Sequence, residues 1–287
     1  MANKKNIKPM NKLPNVLFVG PQRTGTTWIY EYLRARGDIA LPKDVKETWF
    51  FSHFFEKGVN WYASHFNLKK PFNCIVEVDP TLFSHPEAPK RVYDVLGSDV
   101  TIICTLRDPV KRSISHYLHA KRYGWTKKPL EEAIFEVPGI IDESRYAKHI
   151  ARWISVFGRK RVHVLFQEEL TRDPDAFVAN MCRIMRIPYV PIPNRLKTRV
   201  HKAMSPRWFA FTRFSYLVMR PLRSYRLYWV IKIFKKLGLS RILYRSLREE
   251  DIPSTEAQQI LIKELQGEVR ALRELLGREV PFVERVE

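Results

Sequence analysis

The stretch GPQRTGTTW, residues 20–28, decides the fold, because it joins a strand to a helix through a glycine-bearing turn. The apolar run VLFV precedes it at 16–19, and the helix-like segment WIYEYLRARG follows at 28–37. A helix that begins after such a turn directs backbone N–H groups and the positive end of its dipole at an anion. The sequence therefore predicts a phosphate or sulfate site in this loop.

The loop departs from the nucleoside triphosphatase pattern at one position. Gly20 and Gly25 have the P-loop spacing, but Thr26 stands where that pattern places the lysine that reaches the β- and γ-phosphates. The loop carries one cation and three hydroxyls instead: Arg23, Thr24, Thr26 and Thr27. This set suits a nucleotide with a short 5′-anion better than a magnesium triphosphate. An ordinary strand–turn–helix junction is the alternative interpretation of the segment alone.

Strand-like and helix-like segments alternate through the first two thirds of the chain. The predicted strands are 15–20, 73–79, 99–107 and 161–169. The predicted helices are 27–36, 86–96, 109–122, 144–157 and 173–186. Near-continuous apolar strands between helices indicate a parallel sheet covered on both faces, with ligands at the carboxyl ends of the strands. We therefore predict an α/β fold, a P-loop-like three-layer sandwich with a central parallel sheet.

The composition predicts attraction to anions. Lys and Arg total 50 against 30 Asp and Glu, which gives a net charge of +20. The cysteines, Cys74, Cys104 and Cys182, lie in apolar surroundings without metal-type spacing, and we expect buried thiols in a reducing compartment. No apolar run reaches the roughly 18 residues of a membrane span, and no leader pattern opens the chain. We expect a cytoplasmic protein, soluble or peripheral to a membrane.

The chain is predicted to comprise a basic N-terminal tail (1–13) and one domain (14–287). Within that domain, residues 205–248 carry 11 Arg or Lys, no Asp or Glu, and many aromatic side chains. A basic, aromatic helical insertion of this kind can lie on an anionic membrane surface or line a channel for an acidic acceptor. Helices packed over the sheet with solvated arginines are the alternative. A closing helix is predicted over 254–277.

The motif KETWFF, residues 46–51, supplies a candidate general base. Glu47 stands between the cation of Lys46 and a cluster of aromatic side chains. Partial burial raises a carboxylate pKa and a neighbouring cation lowers it, so this setting can tune a base. We count Glu47 and Lys46, together with Arg23, as the candidate catalytic residues. A surface Lys–Glu pair beside a hydrophobic cluster is the alternative.

Two later motifs supply further candidate binding residues. In LRDPVKRSISHY, residues 106–117, Arg107 ends a strand and Ser115 follows two helical turns later, so that both can grip one phosphate. In SRYAKHIARW, residues 144–153, Tyr146 can stack on a nucleotide base, with a core aromatic as the alternative. No set of residues has metal-ligand spacing.

Taken together, these motifs resemble the sulfotransferase family that uses 3′-phosphoadenosine 5′-phosphosulfate (PAPS), and most closely its glycan branch, the heparan sulfate N- and O-sulfotransferases. The stretches that carry the resemblance keep the family's order: GPQRTGTT, KETWFF with KGVNWYASHF at 57–66, RDPVKRSIS, YAKHIARW, and QEELTRDP at 167–174. The resemblance covers residues 14–190. It implies a carbohydrate or glycolipid acceptor, no required metal and no nucleic-acid partner.

The resemblance also implies a role for each candidate residue. Residues 23–27 (Arg23, Thr24, Gly25, Thr26 and Thr27) would bind the 5′-phosphosulfate, and Trp28 would flank the adenine. Arg107 and Ser115 would bind the 3′-phosphate. Glu47 would remove the proton from the attacking hydroxyl or amine, and Arg23 would stabilise the departing phosphate.

The chain departs from the glycan branch after the second strand, where Val78 and Asp79 stand in place of a family lysine. Lys46 or Glu77 is expected to compensate. Two alternatives remain open at this point: a P-loop kinase or nucleotidase, and a basic protein that binds a membrane or nucleic acid. The first lacks the lysine at Thr26, and the second lacks a nucleic-acid-binding motif.

Overall fold

A computed structural model describes residues 13–66, 72–197, 204–206, 221–230, 233, 244–246 and 252–282. Its centre is a four-stranded parallel sheet in the order β2–β1–β3–β4. The strands are β1 Val16–Gly20, β2 Val76–Val78, β3 Thr101–Leu106 and β4 Val162–Phe166. The predicted parallel sheet is confirmed, and all four predicted strands belong to it.

Helices surround this sheet. They are α1 Thr26–Arg36, α2 Phe50–His53, α3 Gly58–Ala63, α4 Ala88–Leu96, α5 Pro109–Arg122, α6 Leu130–Glu136, α7 Gly139–Asp142, α8 Tyr146–Phe157, α9 Gln167–Arg172, α10 Pro174–Met185, α11 Asn194–Lys197, α12 Thr255–Glu264 and α13 Glu268–Leu276. Short 3-10 turns lie at Phe55–Lys57, Ser64–Phe66 and Pro80–Leu82. Two further strands, β5 Met204–Pro206 and β6 Tyr244–Ser246, pair antiparallel.

The sheet is buried on both faces, which explains why its strands are apolar at every position. In β1, Leu17 and Val19 pack into one cluster with α4, α8 and α13, whereas Val16 and Phe18 pack into another with α1 and α10. Side chains alternate across a strand, so these two clusters are the two interfaces of a three-layer sandwich. The predicted layer arrangement is confirmed.

Two predicted elements differ in extent. The second strand is only three residues long, and Asp79, directly after it, caps the following 3-10 turn by accepting a hydrogen bond from the Thr81 N–H. The predicted closing helix is divided in two at Gly267, where φ is +75°, a conformation that favours glycine. Ser254 caps the first half through the N–H of Ala257.

The predicted basic insertion lies largely outside the described residues, as does the basic tail before Leu13. Short helical stretches occur at 221–224 and 228–230, and β5 pairs with β6 at the two ends of the insertion. The three cysteines are buried free thiols, as predicted. Within the described ranges, no helix is both long and apolar enough to cross a bilayer.

Candidate functional site

The phosphate-type loop lies between β1 and α1, and its shape depends on two glycines. Gly20 has φ +94°, and a Cβ there would come within 2.6 Å of the Cα of Pro80, so the close approach of the two segments requires glycine. Gly25 is the N-cap of α1 with φ +88° and has no side chain with which to cap the helix. The first N–H groups of α1 are therefore left for an anion.

The three loop threonines have different surroundings. The Thr24 hydroxyl is buried, donates to the Pro21 carbonyl at 2.7 Å and lies 2.8 Å from Thr105 Oγ1, so it ties the loop to β3. Thr26 Oγ1 accepts a hydrogen bond from Lys46 Nζ at 3.3 Å. Thr27 is exposed. The hydroxyl of Thr24 thus faces into the loop, and its backbone N–H is the group left for a ligand.

Arg23 connects the loop to α5. Its backbone is left-handed, with φ +72°, and its Nε donates to Ser115 Oγ at 3.0 Å. Burial lowers the pKa of Arg23 to about 10, opposed by Tyr123 and reinforced by Arg122, Arg107 and Arg112. Arg23 is still charged at neutral pH. Guanidinium groups this close repel one another, and an anion bound among them would relieve this repulsion.

Arg107 follows β3, at the same end of the sheet as the loop. Among the described residues, its guanidinium makes no hydrogen bond or ion pair, whereas its carbonyl accepts from the hydroxyl of Tyr146 at 2.7 Å. Tyr146 is fully buried. The expectation that Tyr146 stacks on a base is therefore wrong, because its ring belongs to the core and only its hydroxyl reaches the site, where it fixes the backbone of Arg107.

Trp28 lies on the opposite side of the loop, at the start of α1. Its indole Nε1 donates to the Leu196 carbonyl at 3.1 Å, and its ring stacks on Tyr32 at a centroid separation of 6.0 Å. The ring is half-buried. Trp28 therefore holds α11 against α1, and its role beside an adenine stays a prediction.

Glu47 is held by hydrogen bonds to both carboxylate oxygens. Oε1 accepts from Lys46 Nζ at 2.9 Å and Oε2 accepts from the Trp49 indole at 3.2 Å. Burial raises the pKa of Glu47, but Lys46 and Arg223 and the two hydrogen bonds outweigh burial, so the pKa lies below its ordinary value. Because Lys46 also donates to Thr26, a chain of polar contacts connects the loop to an ionised carboxylate.

Arg223 is a residue of this site that sequence reasoning missed. Its guanidinium carbon lies 3.8 Å from the centroid of the Trp49 ring, and its Nη1 donates to the Glu47 carbonyl at 3.0 Å. Arg226 and Tyr228 secure the same segment through Ser64 and His65. The only signal in the sequence is the density of basic residues in 205–248, which does not single out one arginine.

Glu77 and Asp79, at the end of β2, support the segment that carries Glu47. Glu77 accepts hydrogen bonds from the N–H and hydroxyl of Thr48 and from the Tyr62 hydroxyl, at 2.6–2.9 Å. Asp79 accepts from the N–H of Trp49, whose φ is +60°. Burial, with Glu77 and Glu47 nearby, raises the pKa of Asp79 to about 8. Glu77 therefore positions the segment that carries Glu47. The cation that pairs with Glu47 is Lys46.

A buried ion pair, Arg112–Glu143, supports the backbone of the loop. Glu143 accepts from Arg112 Nη1 at 2.8 Å and from the backbone N–H of Gln22. Arg112, which is fully buried, also donates to the carbonyls of Gly139 and Ile140. Sequence reasoning missed this support as well, although Arg112 lies within the RDPVKRSIS motif. Among the described residues, no His, Cys, Asp and Glu group could hold a metal ion.

Comparisons with known proteins identify the family of this chain. The family model of the sulfotransferase domain matches residues 13–212, and the chain belongs to the sulfotransferase family. A Drosophila melanogaster protein named bifunctional heparan sulfate N-deacetylase/N-sulfotransferase is 26% identical over 228 residues, which cover 68% of this chain and 22% of that protein. Human heparan sulfate glucosamine 3-O-sulfotransferase 3B1 is 29% identical over 176 residues, 57% of this chain and 43% of that protein.

A solved structure shows the fold. The sulfotransferase from Alicyclobacillus acidocaldarius superimposes with a TM-score of 0.65 at 20% identity, over 93% of this chain and 97% of that one. The two sequence relatives are longer proteins, since the matched region is about a fifth of the first and less than half of the second. The predicted family and fold class are confirmed.

The contact of Arg223 with Glu47 predicts a shift in pH dependence. The cation lowers the pKa of Glu47, so Arg223→Ala is expected to raise it. Glu47 is the general base expected from the sequence, and a base works when deprotonated, so the acid limb of kcat/KM should move to higher pH, with a loss of about threefold to tenfold at pH values below the raised pKa. A pH–rate profile measures this.

Arg226→Asn is the matched control. It removes a second arginine of the same segment that contacts Ser64 rather than Glu47, and asparagine tolerates the left-handed backbone at φ +59°. An acid limb that moves equally in both variants, or in neither, would contradict the assignment of Arg223.

Proposed function

We propose that this protein transfers a sulfuryl group from PAPS to a hydroxyl or amine of a carbohydrate or glycolipid acceptor. The observation that carries the proposal is the contact chain Thr26–Lys46–Glu47, with steps of 3.3 and 2.9 Å, which joins an anion-binding loop to an ionised carboxylate. The names of the two relatives support a glycan acceptor.

The residues around the loop fit the two anionic ends of the donor. The first N–H groups of α1 and Arg23 would hold the 5′-phosphosulfate. Arg107, which has a guanidinium without a partner among the described residues, and Ser115 would hold the 3′-phosphate. The donor, when bound, supplies the sulfuryl group and leaves as adenosine 3′,5′-bisphosphate. The partial burial of Arg23 strengthens its interaction with such an anion.

Glu47 would act as the general base. It takes the proton of the acceptor hydroxyl or amine as a new bond forms between the acceptor atom and sulfur. The bond between sulfur and the bridging phosphate oxygen breaks, and its electron pair stays on the phosphate. Arg23 and the N-terminus of α1 stabilise this charge. Lys46 and Trp49 fix the orientation of the Glu47 carboxylate, which limits the loss of rate from misalignment.

The cellular setting is part of the same proposal. We infer a cytoplasmic enzyme whose basic segment 205–248 contacts either the acceptor or an anionic membrane surface. The net charge of +20 supports an anionic partner. Domain bounds of 14–287, with the insertion inside them, also stay a prediction.

Thermal unfolding in the presence of nucleotides tests the donor half of the proposal. Adenosine 3′,5′-bisphosphate at a hundredfold excess over its Kd should stabilise the folded state by about 2.7 kcal/mol and raise Tm by several degrees. Magnesium-ATP should raise Tm much less, because no lysine follows Gly25. Stabilisation by magnesium-ATP alone would indicate a kinase or nucleotidase instead.

Mass spectrometry tests the acceptor half. The protein is incubated with PAPS labelled in the sulfuryl group and with glycans that offer free amines, free hydroxyls or both. Transfer of the label to a glycan is expected, and the modified atom distinguishes N- from O-sulfation. Donor binding without transfer to any glycan, but with transfer to a non-carbohydrate alcohol, would contradict the acceptor class and retain the reaction.

A further inference from the structure

A groove lies along the edge strand β4, away from the phosphate-type loop. Its volume is about 560 Å³. Its walls come from the first residues of β3 and β4, the last turn of α10 and the end of α13. These are all amino ends of strands or carboxyl ends of helices, whereas the loop follows the carboxyl end of β1. The groove and the loop therefore lie at opposite ends of the sheet, roughly 17 Å apart along a five-residue strand.

The groove exists because β4 is the last strand of the sheet. α10 packs on one face of the sheet and α13 on the other. The space between the two helices stays open beside Val162, His163 and Val164. The floor of the groove is thus part of the sheet and its two walls are helices of the core, and most of its cations lie in the short turns that adjoin these elements.

The groove is strongly basic. Six of its lining residues carry a positive charge: Arg159, Lys160, Arg161, Arg183, Arg186 and Arg278. None of its lining residues is Asp or Glu. Arg161 pairs with Asp99, and in the described part of the chain none of the other five forms an ion pair with a carboxylate. The carboxylates of the described residues therefore leave most of this positive charge unpaired.

His163, on the floor, responds to this charge. Its pKa is lowered by burial first, and then by Arg183, Arg159, Arg161 and Arg186. Four guanidinium groups, two at the end of α10 and two in the turn before β4, therefore act on one ring. The positive potential converges inside the groove rather than spreading over a flat surface, and a concave site concentrates a field.

Three of the arginines are held in place by one hydrogen bond each. Arg159 donates to the Leu276 carbonyl at 2.6 Å, and Arg278 donates to the Val164 carbonyl at 2.8 Å. Arg183 donates to Asn180 Oδ1 at 2.9 Å. A guanidinium has five N–H donors, so each of these groups keeps further donors for a ligand after it has been oriented. Orientation before binding reduces the entropy lost on binding.

We propose that this groove binds a small ligand that carries several sulfate or phosphate groups. Guanidinium groups pair with such oxyanions through two parallel hydrogen bonds, and several of them around one cavity select for several anions on one molecule. A volume of about 560 Å³ suits a drug-sized molecule. The groove is concave, so a flat membrane surface does not fit into it. The site is separate from the proposed sulfuryl-transfer site.

The test uses two soluble probes, a heparin-derived disaccharide and inositol hexakisphosphate, with isothermal calorimetry at two salt concentrations. The test variant is Arg183→Ser with Arg186→Asn, in which asparagine accommodates the left-handed backbone of Arg186 at φ +56°. The control variant, Lys90→Ser with Arg270→Ser, removes two exposed cations outside the groove. Both variants lower the net charge by two.

The test variant should bind at least one probe about tenfold more weakly than the unmodified protein, and the control variant should bind within about twofold of it. The preferred probe shows whether the natural ligand carries sulfate or phosphate. Equal weakening in both variants, or binding only to vesicles of anionic lipid, would overturn the site. Affinity for adenosine 3′,5′-bisphosphate should be unchanged in both variants, which separates this result from the proposed transferase activity.

Discussion

Replacement of Glu47 by glutamine is expected to lower kcat by about 10²- to 10⁴-fold, the usual contribution of a general base. Glutamine keeps the size of glutamate and one acceptor oxygen for Lys46, but it cannot take a proton. The affinity for adenosine 3′,5′-bisphosphate should be retained or increased, because Lys46 and Arg223 lose the carboxylate that opposes their charge. Single-turnover transfer and calorimetry with the bisphosphate measure the two effects.

Glu56→Gln is the matched control for this substitution. Glu56 is an exposed glutamate of the neighbouring 3-10 turn, Phe55–Lys57. Its loss should leave both transfer and donor binding within about twofold of the unmodified protein, as for surface substitutions generally. If Glu47→Gln lowers donor affinity as much as it lowers kcat, Glu47 supports the structure of the site and is not its base.

Replacement of Arg107 by alanine is expected to weaken adenosine 3′,5′-bisphosphate by about 10- to 100-fold, the range of a charge-assisted hydrogen bond. The measurement pairs this ligand with adenosine 5′-phosphate, which lacks the 3′-phosphate. The unmodified protein should prefer the bisphosphate, and the variant should lose most of that preference. The affinity for adenosine 5′-phosphate should change little, because Arg23 and the N-terminus of α1 remain.

Tyr146→Phe is a milder change that affects Arg107 only through its backbone. It removes the hydroxyl that donates to the Arg107 carbonyl and keeps the buried ring. We expect a smaller loss of preference for the bisphosphate than in Arg107→Ala, because the guanidinium is present but its backbone is less well fixed. Equal weakening of both nucleotides by Arg107→Ala would move Arg107 away from the 3′-phosphate.

The sheet and the residues at its carboxyl edge could be predicted from the sequence because each is encoded locally. An apolar strand followed by a turn brings Arg23 to the edge, and a second strand brings Arg107 there. Glu47 is recognisable by its neighbours in the sequence, Lys46 and Trp49, which the structure shows are also its hydrogen-bond partners.

The remaining features depend on contacts between distant segments. Arg223 contacts Glu47 although 176 positions of sequence separate them. No local pattern distinguishes Arg223 from the other arginines of its segment. The inward orientation of Thr24 depends on Thr105 in a neighbouring strand. The motif at 144–153 allows Tyr146 either a nucleotide contact or a place in the core, and only the packing of α8 against the sheet decides for the core.

Arg223, which contacts Trp49 and Glu47, lies far along the chain from the groups proposed to hold the donor. The groups proposed to hold the donor come from the first 120 residues, whereas the pKa of the proposed base, Glu47, is lowered by a residue from the last third of the chain. A substitution at Arg223 can therefore change the pKa of Glu47 without altering any of the groups proposed to hold the donor.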